Sequence, residues 1–197
     1  MDKNNLSNII RELLINLGQD IGSDGLKETP ERVSKYYREI LSGYTVDYTK
    51  FAKTFPNEGG RQLLTVRSIQ FYSLCEHHMV PFFGKIAIGY IPDKYILGLS
   101  KFIRITEVFS KRLQVQERLT KQILEAINDV LEPRGCAVRI EAKHLCMSMR
   151  GVRNESSTVT QLFSGALLKD SSLQNQFLQS LGTRTLGKND MIFSNYD

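Results

Sequence analysis

Two short clusters hold all three histidines of this chain and two of its three cysteines. The first is Cys75-Glu76-His77-His78, and the second is His144-Leu145-Cys146. Thiolate and imidazole are the ligands that zinc prefers, and a catalytic zinc typically takes three protein ligands and leaves one position for water. Because the clusters are far apart along the chain, a single metal site requires a fold that brings them together. This requirement constrains the fold more than any other feature of the sequence.

The spacing within each cluster is compatible with a shared site. Cys75 and His78 are three residues apart, so a turn or the start of a helix can direct both towards one point. In the second cluster, strand alternation predicts one face that carries Val138, Ile140, Ala142, His144 and Cys146. The pattern does not decide which of His77 and His78 holds the metal, since adjacent residues point different ways. The alternative is two buried thiols and three unrelated imidazoles.

Composition is typical of a soluble cytoplasmic protein. At 197 residues and 41% apolar content, the chain can form one domain, or one domain with a small appendage. Three cysteines suit a reducing compartment. The N-terminus opens polar, and no apolar run reaches membrane-spanning length, so we expect neither a signal peptide nor a membrane partner. The net charge of +5 is moderate and scattered along the chain, so it does not strongly indicate nucleic acid, and a small phosphorylated substrate fits it equally well.

Hydrophobic periodicity predicts helices and strands in an alternating arrangement. The expected helices are 5–18, one from Thr29 as N-cap and Pro30 as first helical residue to Gly43, one capped by Ser100 over 101–112, and 115–131. The expected strands are 63–73, 84–91, 136–145 and 158–168, with a loop over 44–61 and a short helical stretch around 177–181. A strand pair, a helix pair and a second strand pair favour an α+β fold with an antiparallel sheet.

The chain also resembles the GTP cyclohydrolase I family, from about Glu28 to Leu178. The motifs that carry the resemblance occur in the family's order and spacing: the two Cys/His clusters, Gly98-Leu99-Ser100-Lys101, Gln114-Val115-Gln116-Glu117-Arg118-Leu119-Thr120 and Met149-Arg150-Gly151-Val152. The resemblance implies the tunnelling fold, a four-stranded antiparallel sheet backed by two helices. It implies a homo-oligomer, commonly a decamer of two stacked pentamers with active sites at subunit interfaces. It also implies the hydrolysis of GTP to formate and 7,8-dihydroneopterin triphosphate, the first step towards folate and other pterins.

The resemblance assigns roles to individual residues. It places the Zn²⁺ ligands at Cys75, His78 and Cys146, which leaves His144 and His77 as unligated imidazoles. We expect His144 to protonate the guanine imidazole and shuttle protons, and His77 to join that relay or only to orient its loop. Glu117 aligns with the guanine anchor, and Gln116 can add a hydrogen bond. The positions matching triphosphate ligands are Ser100, Lys101, Arg104 and Arg150, with Arg32 and Lys35 expected to reach in from a neighbouring subunit.

These interpretations divide the chain into an N-terminal helical arm (1–43), a catalytic domain with the tunnelling fold (44–181) and a polar tail (182–197). Two alternatives remain. A structural zinc module that binds nucleic acid would prefer a closed site with four protein ligands and a clustered basic face. The motif helix with Glu117 and the absence of a basic block count against it. Another tunnelling-fold pterin or deazapurine enzyme could keep the zinc and change the reaction. The complete pair of clusters, together with Gln116 and Glu117, favours the cyclohydrolase.

Overall fold

Helices and strands alternate along the chain in the computed structural model, which describes residues 3–182 and confirms a mixed α+β architecture. The α-helices of the described residues are α1 (Lys3–Asn16), α2 (Thr29–Ile40), α3 (Leu99–Ser110), α4 (Gln116–Leu131), α5 (Leu145–Ser148), α6 (Gly165–Lys169) and α7 (Ser171–Ser180). The strands are β1 (Thr54–Pro56), β2 (Leu64–Cys75), β3 (Pro81–Ile91), β4 (Tyr95–Leu97), β5 (Leu113–Gln114), β6 (Gly135–His144) and β7 (Ser157–Ser164). The predicted polar tail lies outside the described residues from position 183 onwards.

The main sheet has the strand order β5-β2-β3-β6-β7. Its four long strands are antiparallel to their neighbours, and the two-residue β5 runs parallel to the end of β2. Strand β3 is central because Phe82 pairs with Ser73 of β2 on one side and with His144 of β6 on the other. This register brings the two Cys/His clusters to the same end of the sheet. Strands β1 and β4 form a separate antiparallel pair.

Helices α3 and α4 cover one face of the sheet, and α6 and α7 cover part of the other. Strand alternation sends Val138 and Ile140 towards α3 and α4, whereas Ala137 packs with α6 and α7. Burying a side chain such as Val138 or Ile140 stabilises a fold by about 1.5–3 kcal/mol. The cluster under α3 and α4 buries more such side chains than the other cluster, so it is the main core. The α3 and α4 residues that fill it include Phe102, Ile105, Leu119, Ile123 and Ile127, all fully buried.

The second face depends on close contact between α7 and the sheet. Phe177 is fully buried over Gly89, and a Cβ atom at position 89 would lie 2.5 Å from the Phe177 ring. The tail helix predicted from the apolar residues near Phe177 is thus confirmed as α7. Among the described residues, no helix combines the length and apolar character that a membrane crossing requires.

Two helix starts differ from the prediction. Thr29 is not an N-cap but the first residue of α2, and its Oγ1 donates to Gly25 O at 3.4 Å, so it is turned back towards the preceding turn. Ser100 lies inside α3, which begins at Leu99, with Gly98 at the N-cap position. Neither helix has a side-chain cap, so the cap residues that sequence reasoning relies on were a misleading signal here.

The ends of several strands also differ from the prediction. Strand β6 stops at His144, and Cys146 lies on α5, so its predicted place on the strand face was wrong. Strand β7 stops at Ser164 because Gly165 takes a positive φ of 57° and starts α6. The segment predicted as a loop over 44–61 contains β1 and a 3-10 turn at Tyr48–Phe51, and β4 and β5 were missed. Elements of two to four residues carry too little periodicity to be recognised.

Candidate metal centre and active site

One group of side chains among the described residues can hold a metal ion: Cys75, His78 and Cys146. Their ligand atoms all lie within 4.8 Å of one another. Cys75 ends β2, His78 lies in the turn that follows, and Cys146 lies on α5 directly after β6. The sheet register therefore assembles the group from two distant parts of the chain. Its accessibility is graded, since Cys75 is buried, Cys146 is half-buried and His78 is exposed.

Backbone hydrogen bonds set the course of the turn after Cys75. Met79 N donates to Cys75 O at 2.8 Å, and Cys75 N donates to Val80 O at 2.9 Å. Met79 takes a positive φ of 53°, a conformation that non-glycine residues adopt uncommonly. Glu76 N also donates to Gln114 O at 3.0 Å, which ties the turn to β5. The turn is thus fixed against the segment that leads into α4.

Two thiols and one imidazole fit zinc better than they fit a hard cation such as magnesium, which prefers oxygen ligands. Burial, followed by the neighbouring Cys75 thiol, raises the pKa of Cys146 above its ordinary value. A bound cation would reverse this effect, because coordination deprotonates a thiol. Cys136 is not part of the group: it lies fully buried in the core, and burial raises its pKa to about 12.

His144 occupies a defined position beside the metal group. Its ring stacks on Phe82 with the centroids 4.8 Å apart and an interplanar angle of 2°. Its Nε2 lies 2.8 Å from Gln116 Oε1. Burial lowers the pKa of His144, and the nearby Glu117 carboxylate partly opposes that shift. These surroundings favour a neutral imidazole held in one orientation.

His77 and Arg150 lie on the exposed side of the same group. His77 Nδ1 is 3.7 Å from Cys75 Sγ, and the His77 ring stands nearly perpendicular to that of His78. Arg150 Nη1 is 2.9 Å from His78 Nε2. The predicted phosphate ligand Arg150 therefore lies at the metal group, as its spacing from Cys146 suggests.

Gln116 and Glu117 form the first turn of α4, and they face different surroundings. Glu117 is exposed, whereas Gln116 is only 2% exposed. The amide nitrogen of Gln116 lies within hydrogen-bond distance of three acceptors, which are Ile140 O, Thr158 O and Thr160 Oγ1. A side-chain hydrogen bond from Gln116 to guanine stays a prediction, and it would have to replace one of these contacts or the contact with His144.

The remaining predicted phosphate ligands lie on other helices. Lys101 and the exposed Ser100 and Arg104 are on α3, where the Arg104 guanidinium lies 5.6 Å from the centroid of Phe51. Lys35 and Arg32 are exposed on α2, and Arg32 pairs with Glu28 at 3.1 Å. Within residues 5–182 of one chain, no hydrogen bond or ion pair joins these side chains to the metal group. Their convergence on one substrate therefore stays a prediction.

Sequence reasoning missed the residues that support the site. Phe82 stacks on His144, Thr120 and Thr160 contact each other beneath Gln116, and Arg118 pairs with Glu76. A signal existed only for Thr120, which follows Gln116 by one helical turn on α4 and so shares its face. Phe82 and Thr160 lie on other strands, and only the sheet register places them here.

Fold and site together define an α+β protein with a group of three side chains that can hold a metal ion beside a half-buried histidine. The GTP cyclohydrolase I family model matches residues 6–182. The chain belongs to the GTP cyclohydrolase I family, a family of hydrolases.

Curated relatives support the same assignment at high coverage. GTP cyclohydrolase 1 of Sulfurihydrogenibium sp. (strain YO3AOP1) is 46% identical over 184 residues, which are 93% of this chain and 97% of the relative. The protein of the same name from Aquifex aeolicus is 46% identical over 91% of this chain and 96% of its own length. That from Saccharomyces cerevisiae is 44% identical over 92% and 75%. A solved structure, the archaeosine synthase QueF-Like in the apo form, aligns with 50% of this chain and 91% of its own at 17% identity, with a TM-score of 0.42.

Proposed function

We propose that this chain is a zinc-dependent GTP cyclohydrolase I that opens the imidazole ring of GTP and releases formate and 7,8-dihydroneopterin triphosphate. The observation that carries the proposal is the convergence of Cys75, His78 and Cys146, in a member of this family, next to His144 and the first turn of α4. The two alternatives, a structural zinc module and a different tunnelling-fold enzyme, explain neither the family match nor the names of the relatives.

In this proposal, the two thiolates and the imidazole hold Zn²⁺. When bound, a zinc ion with three protein ligands would lower the pKa of water to about 7, and it would so supply a nucleophile for C8 of guanine near neutral pH. Two thiolates cancel the formal charge of the ion and weaken it as a Lewis acid, so proton carriers in the protein become more important. The chain offers His144 and His77 for that task.

His144 is the stronger candidate for the proton carrier. Burial holds its pKa below the ordinary value, so the ring is neutral near pH 7 and can accept a proton before passing it to the guanine imidazole. Its stacking on Phe82 keeps the ring plane fixed while the proton moves. His77 lies on the exposed side of Cys75 and joins the same relay.

Substrate recognition follows from charge and hydrogen-bonding capacity. The Glu117 carboxylate accepts from N1–H and the exocyclic amine of guanine, a donor pair that adenine does not present. Arg150 binds the triphosphate near the metal group, assisted by Ser100, Lys101 and Arg104. Arg32 and Lys35 of a neighbouring subunit complete the group of residues that binds the triphosphate. Gln116, beside Glu117, can add a hydrogen bond to guanine.

The assembly in this proposal is the tunnelling fold, in which sheets from several copies join into a barrel and two pentamers stack into a decamer. Its support is the four-strand antiparallel order β2-β3-β6-β7 with α3 and α4 on one face. We assign 1–43 to a helical arm, 44–181 to the catalytic domain and 182–197 to a tail. We further propose a cytoplasmic enzyme of folate or pterin synthesis without a nucleic-acid or membrane partner.

One assay tests the proposed reaction directly. Purified, zinc-loaded protein is incubated with GTP, and the products are analysed for formate and for the fluorescence of oxidised neopterin. Both products should appear in equal amounts, and ATP should yield neither. A protein that holds zinc but leaves GTP intact would contradict the proposed reaction.

A further inference from the structure

Gln116 has a side-chain orientation that its neighbours determine. Its Nε2 lies 3.2 Å from Ile140 O and 3.0 Å from Thr158 O. Backbone carbonyls only accept hydrogen bonds, so the end of the amide that faces them is the NH₂ group. The opposite end, Oε1, is therefore the atom that faces His144 Nε2 at 2.8 Å. This assignment follows from the partners, as amide orientations do when the whole network is considered.

Two threonines fix the same orientation independently. Thr120 Oγ1 donates its one hydrogen to Gln116 O at 2.8 Å. The hydroxyls of Thr120 and Thr160 are 2.7 Å apart, so Thr160 must donate to Thr120. The hydrogen of Thr160 is then used, so its Oγ1 can only accept, and the end of the amide that lies 3.1 Å from it must be Nε2. The two hydrogens of that NH₂ group are shared among the three acceptors. Each donor in the network has an acceptor, and the amide cannot rotate without breaking these bonds.

The consequence falls on the ring of His144. Gln116 Oε1 can only accept, so His144 Nε2 must carry a hydrogen and donate it. No hydrogen bond joins the other nitrogen, Nδ1, to a residue that the structure describes. We propose that Gln116 is a positioning residue that holds the neutral His144 ring as the Nε2–H tautomer, so that Nδ1 is the ring nitrogen that presents its lone pair.

This proposal rests on the proposed function and makes its proton carrier specific. The Nε2–H ring donates to Gln116 Oε1, and Nδ1 is left as the ring nitrogen that can accept a hydrogen bond. The other neutral tautomer would place the lone pair of Nε2 against the lone pairs of Oε1. Stacking on Phe82 excludes rotation of the ring out of its plane. Through this bond, Gln116 acts on the reaction by way of His144.

The test is solid-state ¹⁵N NMR of zinc-loaded protein with labelled histidine, because it distinguishes protonated from unprotonated ring nitrogens. The chain has only three histidines, and a His144→Gln variant identifies the signals of His144. The test variant is Gln116→Met, which keeps the length of the side chain and removes both polar atoms. Gln114→Met is the matched control, since Gln114 is equally buried and bonds Phe109 O and Gln122 instead of His144.

We expect neutral His144 to be protonated at Nε2 in the wild type and in Gln114→Met. In Gln116→Met, the Nδ1–H form should appear and kcat should fall about tenfold or more, with KM for GTP within about threefold and zinc content unchanged.

A wild-type ring protonated at Nδ1 would overturn the proposal, as would Gln116→Met with unchanged tautomer and kcat. If Gln116→Met does not fold, the wild-type spectrum decides alone. A wild type that shows Nε2–H but releases no formate from GTP overturns the proposed function and leaves the tautomer assignment standing.

Discussion

Arg118 holds Glu76 with both terminal nitrogens, and Nη1 and Nη2 lie 2.7 Å and 2.6 Å from the same carboxylate oxygen. Glu76 lies between Cys75 and His77, and Arg118 follows Glu117 on α4. The pair therefore connects the turn that carries two proposed metal ligands to the helix that carries the proposed guanine anchor. Charge-assisted bonds of this kind fix geometry more than they stabilise a fold when the partners are partly exposed.

Breaking this pair should loosen the metal centre without unfolding the protein. We expect Arg118→Gln to weaken zinc binding about tenfold, because the variant loses the side chain that holds Glu76 and so orients the segment with Cys75 and His78. The free energy of unfolding should change by less than about 1 kcal/mol, since the two side chains are 41% and 34% exposed. Zinc titration with a competing chelator measures the first effect. Lys121→Gln, which breaks an exposed pair with Glu125 on the same helix, is the control, and equal zinc affinity in both variants would contradict the prediction.

The metal centre should hold one zinc per subunit. Cys75→Ser, His78→Ala and Cys146→Ser should each lose most of the zinc, because every one removes a third of the proposed ligand set. Elemental analysis of purified protein measures this. Cys136→Ala is the control and should keep full zinc, since that thiol is buried in the core with a pKa of about 12. Full zinc and activity in any of the three variants would remove that residue from the ligand set.

The two unligated histidines should be separable from the metal ligands. His144→Ala and His77→Ala should keep zinc and lose ring opening, by about 10²–10⁴-fold if proton transfer is their role. His144→Ala should be the more damaging, because only His144 is held in place by a stacked ring and a buried amide. Paired measurements of zinc content and formate release give the result. Loss of zinc from His144→Ala would make that residue a ligand.

Glu117→Gln should abolish most GTP turnover and leave the fold intact. The amide replaces an acceptor with a donor opposite the N–H groups of guanine. Exposed helix positions tolerate such changes within about 0.5 kcal/mol of stability, so thermal unfolding should hardly move. Glu125→Gln provides a matched exposed change on the same helix and should keep wild-type kcat/KM. An unaltered kcat/KM in Glu117→Gln would show that this carboxylate is only a solvated helix residue.

A shared site should allow complementation between inactive chains. If Arg32 of one subunit serves the zinc of its neighbour, Arg32→Ala and Cys146→Ser oligomers should each be nearly inactive. Mixed oligomers should recover a fraction of wild-type activity, since some interfaces combine an intact Arg32 with an intact metal centre.

The control for this experiment is a mixture of Cys75→Ser and Cys146→Ser chains. Both changes damage the same metal group within one chain, so no interface can combine two intact halves. Mass spectrometry must show hybrid oligomers in both mixtures. Recovery in neither mixture would place Arg32 in the site of its own subunit or in no site.

The long elements were predictable because their periodicity was sustained. Helix α4 and the strands β2, β3 and β6 were expected at nearly their observed places. The meeting of the two Cys/His clusters was also expected. The prediction that Cys146 lies on a strand was wrong, because a helix of four residues such as α5 leaves no periodicity in the sequence. Periodicity reports which side of an element faces the core, and it reports little about the irregular segments that aim functional side chains.

Partners across the sheet could not be predicted. The contacts of His144 with Phe82 and of Gln116 with Thr160 join strands and helices that are distant in sequence. A threonine on a strand carries no sign of the glutamine that it will contact, since this depends on register and helix placement. The residues that hold the proposed site in shape were therefore visible only in three dimensions.

The register of Phe82, paired with Ser73 on one side and His144 on the other, also sets an order of events during synthesis. Cys75 and His78 leave the ribosome long before Cys146, so the nascent chain exposes two ligands that lack a third. A slip of one residue between β3 and β6 would turn His144 to the opposite face of the sheet. The proposed zinc site would be complete only after β6 pairs with β3 and brings Cys146 to Cys75 and His78, so the zinc content of a preparation would report the fraction of molecules whose sheets closed in register.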